Sequence, residues 1–470
     1  MKIITHTNNG DFMTSFLNQY KISNDYILDS IIVDTKTINY LYIETLVDTK
    51  SLNDLLLGKL SLLNRKQIAK LNSYLPFCNI IIIQNTEIEN YLNNGFIILY
   101  YNKIYACELK ANINRGVQKI ESELSLGGAK DSFNEYYNTN LGLIRRRIKS
   151  SQLKVTNKVI GTYSKTKVGI IYIEGICKKD LVYHVEKQLN KISIDGIIDS
   201  SYLKNSLEPR FQLFPTIIQT ERPDKCSMAL LEGKIIILVD NSPYALILPS
   251  LFLDFFHTTD DYFQKPFHTS FIRIIRVLAF LISIFTPAIY ISVTTRNYSW
   301  IPFSLLLMLK AGRTFVPFPA YLEAIFMIIC FEILKESDLR MSTTSGSAIS
   351  ILGGLILGDA AVAAGIVSPI MIIVIAISSI AGLIFHSNEF INTLRTYKIL
   401  FLILGSIFGL YGVLIGLIHL IIQIHTTEIF GYSYFALDKN EWKDSFIKLN
   451  PTIKLRNSKL TNNIIRGRYQ

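Results

Sequence analysis

The chain has 470 residues, of which 49% are hydrophobic and 18% charged, with a formal net charge of +11 at pH 7. This length exceeds one ordinary core, so two or more domains are expected. Five scattered cysteines without a C-x-x-C pair argue against both a disulfide framework and a zinc site. The first 18 residues lack an apolar run, so we expect no cleaved secretory signal and a cytoplasmic soluble part.

The composition changes sharply along the chain. Residues 1–270 mix charged, polar and apolar types, whereas apolar runs dominate 277–424 and a basic tail follows. We therefore expect an α/β soluble domain of two similar lobes followed by an α-helical transmembrane bundle. The predicted boundaries are 1–155 for an N-terminal α/β lobe with a helical connector, 156–270 for a second α/β lobe, 271–425 for the transmembrane helical domain and 426–470 for a basic cytoplasmic tail.

Two stretches of the soluble part share one pattern. Strand-like runs at 42–46 and 172–176 each lead through a polar turn into a helical stretch, and hairpin signals follow at 95–107 and 233–247. Asn, Asp, Gly and Pro between β-rich runs are typical of such turns. The repeated order of strand, helix and hairpin predicts two similar lobes, with coincidental similarity as the alternative.

The connector carries three consecutive arginines, Arg145, Arg146 and Arg147, in a segment of helical character. A solvated face or an interdomain or partner contact suits them better than an anion site. The chain has no P-loop, no G-x-S-x-G turn and no H-E-x-x-H motif. We therefore expect no enzyme activity, cofactor or metal, and the basic tail lacks the aromatic partners of a nucleic-acid site.

Several apolar runs approach the length of about 20 residues that a membrane span requires. These runs are 277–295, 366–385 and 399–424, and another, 347–357, leads into Asp359. Runs 301–316 and 320–334 are interpreted as one broken or re-entrant element with Pro317 and Pro319 at the break, because proline leaves carbonyls free to line a cavity. We expect an even number of full spans, with domain and tail both cytoplasmic.

Ionisable residues at membrane depth are costly and by default mark a pathway or a buried pair. Glu323, one turn past the prolines, is the first candidate for a cation pathway. Glu332 lies nine residues further on, near a half-turn offset, and is closer to an interfacial role. Asp359 could line a mouth or cap a turn. All three are retained as ion-pathway candidates.

Small residues recur at helix-packing intervals in two stretches of the apolar region. Such stripes allow helix backbones to approach closely, within one chain or between subunits. The first stripe consists of Gly346, Ser350, Gly354 and Gly358, and the second of Gly405, Gly409, Gly412 and Gly416.

A set of motifs in this order and spacing resembles the GerA family of spore germination proteins, the A subunits of nutrient germinant receptors. The motifs are GAKDSF at 128–133, NTNLGLIRRRI at 138–148, TERPDK at 220–225, LLEGK at 230–234, VPFPA at 316–320 and GGLILG at 353–358. The likeness covers about 128–430, and the first 110 residues match weakly. Where the family has G-Q-A-A-V-E-A-G, this chain has Asp359 and Ala363, so Asp359 would have to take over any role of that glutamate.

The resemblance implies a multi-pass protein of the inner spore membrane that works with a permease-like B subunit and a lipoprotein C subunit. It implies a homo-oligomer that forms a cation channel and opens in response to small nutrients such as amino acids. A SpoVAF-like branch, associated with the dipicolinate release channel, shares the motifs and is one alternative. A non-conducting membrane scaffold is the other, and a membrane enzyme is the least favoured.

Overall fold

The computed structural model describes residues 23–33, 36–63, 67, 79–101, 103–111, 123, 127–209, 212–340 and 358–435. The predictions for Gly354, for the 347–357 run and for the tail beyond residue 435 lie outside these residues. Within them, the chain forms two β-sheets followed by a group of apolar helices.

The first sheet has five antiparallel strands in the order β1-β2-β4-β5-β3. Its strands and helices are β1 (Tyr26–Val33), β2 (Lys36–Ile43), a helical segment α1 (Thr49–Ser51, Leu52–Leu57 and Gly58–Leu60), β3 (Ile80–Ile83), α2 (Ile88–Asn93), β4 (Phe96–Tyr100) and β5 (Ile104–Glu108). Side chains of β4 alternate between two cores, Ile97 with α1 and Ile98 with α2, as the two-residue period of a strand requires.

The second sheet repeats this strand order as β6-β7-β9-β10-β8. Its elements are β6 (Leu153–Ile160), β7 (Thr166–Ile173), α4 (Lys179–Lys191), α5 (Ser200–Leu207), β8 (Ile218–Thr220), α6 (Pro223–Leu231), β9 (Ile235–Val239) and β10 (Ala245–Leu248), preceded by α3 (Tyr137–Arg147). Both predicted hairpins are present, as β4–β5 and β9–β10.

The connector helix α3 packs on the second sheet. Leu141 and Ile144 of α3 share a core with Ile171 of β7 and Ile236 of β9. Because β6 begins at Leu153, the domain boundary expected after residue 155 falls within a strand.

The apolar helices follow a short helix, α7 (Asp260–Phe263). They are α8 (Pro266–Thr295), α9 (Phe303–Ala311), α10 (Ala320–Arg340), α11 (Pro369–Gly382), α12 (Asn388–Phe408) and α13 (Leu410–Thr426), and the short strands β11 (Glu428–Ile429) and β12 (Tyr432–Ser433) come next. By length and composition, α8 and α12 could each cross a membrane, and α11 and α13 are apolar but shorter.

The prediction of one continuous span over 399–424 is wrong. The helix α12 ends at Phe408, and Gly409 adopts a φ of +63°, a backbone conformation that glycine reaches without steric cost. The helix α13 then folds back along α12, with Gly412 beside Leu404 and Gly416 beside Phe401. Hydropathy alone missed this hairpin because both helices are apolar and the turn between them contains no polar residue.

Candidate functional site

The candidate site is centred on Glu323, in the first turn of α10. Glu323 is only 1% exposed. Its Oε1 accepts a hydrogen bond from Arg313 Nη2 at 2.8 Å. Its Oε2 accepts from both the backbone N–H and the Oγ of Ser368, each at 3.0 Å. Both carboxylate oxygens are therefore occupied by partners from other parts of the chain.

Three elements meet at this carboxylate. Arg313 follows α9, Pro317 and Pro319 lie in the segment that joins α9 to α10, and Ser368 is the N-cap residue of α11. A carboxylate that accepts from the first backbone N–H groups of a helix is favoured by the positive end of the helix dipole. Glu323 of α10 thus links that helix to the segment after α9 and to the start of α11.

The environment of Glu323 is asymmetric. The carboxylate is buried, whereas the side chain of Arg313 is 21% exposed. Removing one partner of a buried ion pair typically costs about 3–5 kcal/mol because the remaining charge is left uncompensated. The sequence pointed to Glu323 but not to Arg313 or Ser368. A basic residue ten positions before an acidic residue in an apolar stretch is nevertheless a detectable sign of a buried ion pair.

The hydrogen bonds of Glu323 described above involve neither Glu332 nor Asp359. Glu332 Oε1 forms an ion pair with Arg395 Nε of α12 at 3.0 Å, and each side chain is about one-third exposed. Asp359 is exposed in a helical turn over residues 358–363. Among the described residues, no group of His, Cys, Asp and Glu side chains could hold a metal ion.

The glycines of the second stripe pack within the chain. A side chain at Gly405 would meet Ser292 and Ala288 of α8, and one at Gly412 or Gly416 would meet α12. A side chain at Gly358 would meet no described residue within 4 Å. The stripe at 405–416 therefore serves close contacts inside this subunit.

The three arginines of the connector have different surroundings. Arg145 is 1% exposed and forms an ion pair with Asp25 at 2.7 Å, so it joins α3 to the segment before β1. Arg147 binds Asp131 at 2.6 Å, inside the connector, while Arg146 is exposed.

An aromatic cluster, which sequence reasoning missed, joins the second sheet to the helices. The ring of Phe214, in the loop before β8, lies 5.4 Å from Tyr397 of α12 and 5.8 Å from Phe252. We call this set the aromatic junction; its members are Phe214, Phe252, Phe255, Phe256, Phe280, Phe385, Phe390, Tyr397 and Tyr434. Nothing in the spacing of these aromatics along the chain indicates that they meet.

Ionic contacts reinforce the same junction. Lys204 of α5 pairs with Glu389 at the start of α12. Asp261 receives two bonds from Arg276 of α8, at 2.6 and 2.9 Å. Burial by itself would raise the pKa of Asp261, but the hydrogen bonds and charge of Arg276 outweigh it and hold that pKa below its usual value.

Comparison with known proteins decides the family. The family model described as "Bacillus/Clostridium GerA spore germination protein" matches residues 14–459. The chain belongs to the GerA family. The resemblance seen in the sequence is confirmed, and the match extends into the first 110 residues, where the motifs were weak.

Several relatives of this GerA-family chain are named as spore germination proteins. It is 37% identical to spore germination protein KA of Bacillus subtilis over 72% of its own length, and it spans 62% of that relative. It is 32% identical to spore germination protein GerQA of Bacillus cereus, over 91% of this chain and 88% of the relative. A third relative, 32% identical over 74% of this chain and 69% of the relative, is the B. subtilis uncharacterized membrane protein YfkQ.

One solved structure is similar to part of the GerA-family chain. It is the crystal structure of the N-terminal domain of the A subunit of the Bacillus megaterium spore germinant receptor GerK3, with 26% identity and a TM-score of 0.41. The alignment covers 53% of this chain and 99% of that domain. The architecture described above rests on the strand pairing of the chain itself.

Proposed function

We propose that this chain is the A-type membrane subunit of a spore nutrient germinant receptor, and that copies of it assemble around a cation pathway that opens when a nutrient is sensed. The relatives support the germination role, and the apolar helices support a place in the inner spore membrane. The observation that carries the pathway is the buried ion pair of Glu323 and Arg313 beside the proline break.

The ion pair of Glu323 and Arg313 would hold the cation pathway closed. In this state Arg313 and Ser368 engage both oxygens of Glu323, and the positive charge of Arg313 disfavours a cation beside them. Arg313 follows the nine-residue helix α9, whose large apolar side chains are mostly exposed, and prolines separate it from α10. Movement of α9 would withdraw Arg313 and leave an unpaired carboxylate for a cation, while Ser368 keeps that carboxylate in place.

Replacing Glu323 tests this proposal. Spores that carry the chain and its partner subunits as their only receptor should lose amino-acid-triggered K⁺ release when the chain is Glu323→Gln. Glu332→Gln, on the same helix but in a half-exposed pair, is the matched control and should retain K⁺ release. Normal K⁺ release from Glu323→Gln spores with wild-type protein levels would contradict a pathway role.

A non-conducting scaffold is the second candidate. The full occupancy of the Glu323 carboxylate and the use of the 405–416 glycines inside one subunit favour it. A scaffold would leave K⁺ release intact in Glu323→Gln spores and would be a monomer in native mass spectrometry of the purified protein. An oligomer combined with loss of K⁺ release would exclude it.

The partners and orientation are further parts of the proposal. Family resemblance suggests a permease-like B subunit and a lipoprotein C subunit. Lys335 lies in the last third of α10, and Arg395 and Lys398 lie in the half of α12 whose Tyr397 contacts Phe214 of the soluble part. Basic residues concentrate on the cytoplasmic side of membrane proteins. This supports a cytoplasmic N-terminal domain.

We infer that the two sheets are diverged copies of one lobe. Their identical strand orders support this inference, as does the helix that follows the second strand of each. On this reading the domains are those expected from the sequence, with the boundary between the lobes moved ahead of β6.

A further inference from the structure

Four charged side chains surround one recess between α10, α11 and α12. Glu332 and Lys335 lie three residues apart on α10, as do Arg395 and Lys398 on α12, so each pair shares a helix face. Ser379 of α11 and Ser283 of α8 also line the recess, which is open to solvent.

The charges around the recess do not balance. Among the lining side chains that the structure describes, the one carboxylate, that of Glu332, is engaged with Arg395. Lys398 is only 5% exposed, and no carboxylate of the described residues lies within ion-pair distance of its ammonium group. A buried cation without a counter-charge is costly, especially among apolar helices. The recess therefore has the charge of a site that receives an anion.

Its position in the fold indicates which anion. The recess lies where α11 ends and α12 begins, on the same side as the aromatic junction and the sheets. In a membrane the side that carries the sheets faces the lipid headgroups, and basic pockets between spans on that side bind anionic headgroups.

We propose that this recess binds a phosphate group, with Lys335 and Lys398 supplying the positive charge and the Ser379 hydroxyl supplying a hydrogen bond. Three helices then approach one tetrahedral anion, which has acceptor oxygens in several directions. The phosphate can come from an anionic phospholipid or from solution. This inference goes beyond the proposed channel and rests on it only for the insertion of the helices in a membrane.

The test uses the full chain. The protein is mixed with phosphatidylcholine vesicles that contain or lack phosphatidylglycerol, flotation is measured, and retained phosphatidylglycerol is counted by native mass spectrometry. Wild-type protein should retain phosphatidylglycerol over phosphatidylcholine. Lys398→Gln should weaken that retention about fivefold, since each basic group near a headgroup contributes roughly 1 kcal/mol.

Two further variants serve as controls. Lys310→Gln removes a charge from exposed α9, at the opposite end of the helices, and should retain the lipid as the wild type does. Lys398→Arg keeps the charge and should restore retention. If Lys398→Gln fails to fold, Lys335→Gln provides the same comparison. The preference of the wild-type protein for phosphatidylglycerol over phosphatidylcholine tests the phosphate site without any variant.

The outcomes separate the two phosphate sources and the two proposals. If millimolar inorganic phosphate releases the lipid, and stabilises the wild-type protein but not Lys398→Gln, free phosphate is the ligand. Retention that survives inorganic phosphate identifies the headgroup. If the protein floats but shows neither a preference for phosphatidylglycerol nor an effect of inorganic phosphate, the phosphate site alone is overturned. If the protein fails to float, membrane insertion is overturned as well.

Discussion

At the residue scale, Asp261 illustrates how much one buried carboxylate contributes to the stability of the folded protein. It neutralises Arg276 and lies beside Arg273, both of which are buried at the start of α8. Asp261→Asn leaves these guanidinium groups without their counter-charge and should lower the free energy of unfolding by about 3–5 kcal/mol. Thermal unfolding of the detergent-solubilised protein measures this loss. Asp195→Asn, in an exposed loop, is the control and should change the midpoint little.

The same carboxylate predicts a pH dependence. Because the pKa of Asp261 is lower in the folded protein than in the unfolded chain, its stabilisation is present above the unfolded value of about 3.9 and is lost as pH falls through the lower folded value. The unfolding midpoint of the wild type should fall more steeply than that of Asp261→Asn as pH decreases below about 3.9, and the two profiles should run parallel nearer neutral pH. Profiles that stay parallel in the acid range as well would contradict this role.

At the scale of elements, the α12–α13 hairpin depends on glycine. A Cβ at Gly412 would lie 2.0 Å from the backbone carbonyl oxygen of Leu404, and backbone cannot move aside as a flexible side chain can. Gly412→Ala should therefore separate the two helices and destabilise the protein by more than the 1–3 kcal/mol typical of overpacking. Gly358→Ala, at a helical glycine whose added Cβ would meet none of the described residues within 4 Å, is the matched control. The midpoints of thermal unfolding distinguish the two.

The element scale also shows where the sequence was informative. Hairpins β4–β5 and β9–β10 follow from β-rich runs around polar turns, which are local signals. The three-residue strand β8 carries no such signal, because it is defined by pairing with β10. The turn at Gly409 was missed because an apolar run of 26 residues fits one span as well as two packed helices.

At the scale of the whole molecule, the aromatic junction connects the sheets to the helices. Phe214→Ala removes a ring that is buried against Tyr397 and Phe252, and should cost about 3–5 kcal/mol. The loss should also expose the segment between β10 and α8 to added protease, measured as a faster cleavage rate. Leu213→Ala, at the half-exposed neighbour, keeps the backbone carbonyl that Thr393 contacts and should cleave at the wild-type rate.

The sequence by itself determined the class of this protein. Composition separated a mixed domain from an apolar one, and ordered motifs gave the GerA family, because both depend on residue type and spacing along the chain. It also indicated that Glu323 is unusual, since a carboxylate in an apolar stretch needs a physical reason.

Only the tertiary structure decided what each of these residues contacts. The partners of Glu323 lie 10 and 45 residues away along the chain, and Arg145 and Phe214 each have a partner more than a hundred residues away. Such contacts depend on how separate elements pack, which local periodicity does not encode. For the same reason the unbalanced charge beside Lys398 became visible only when three helices were brought together.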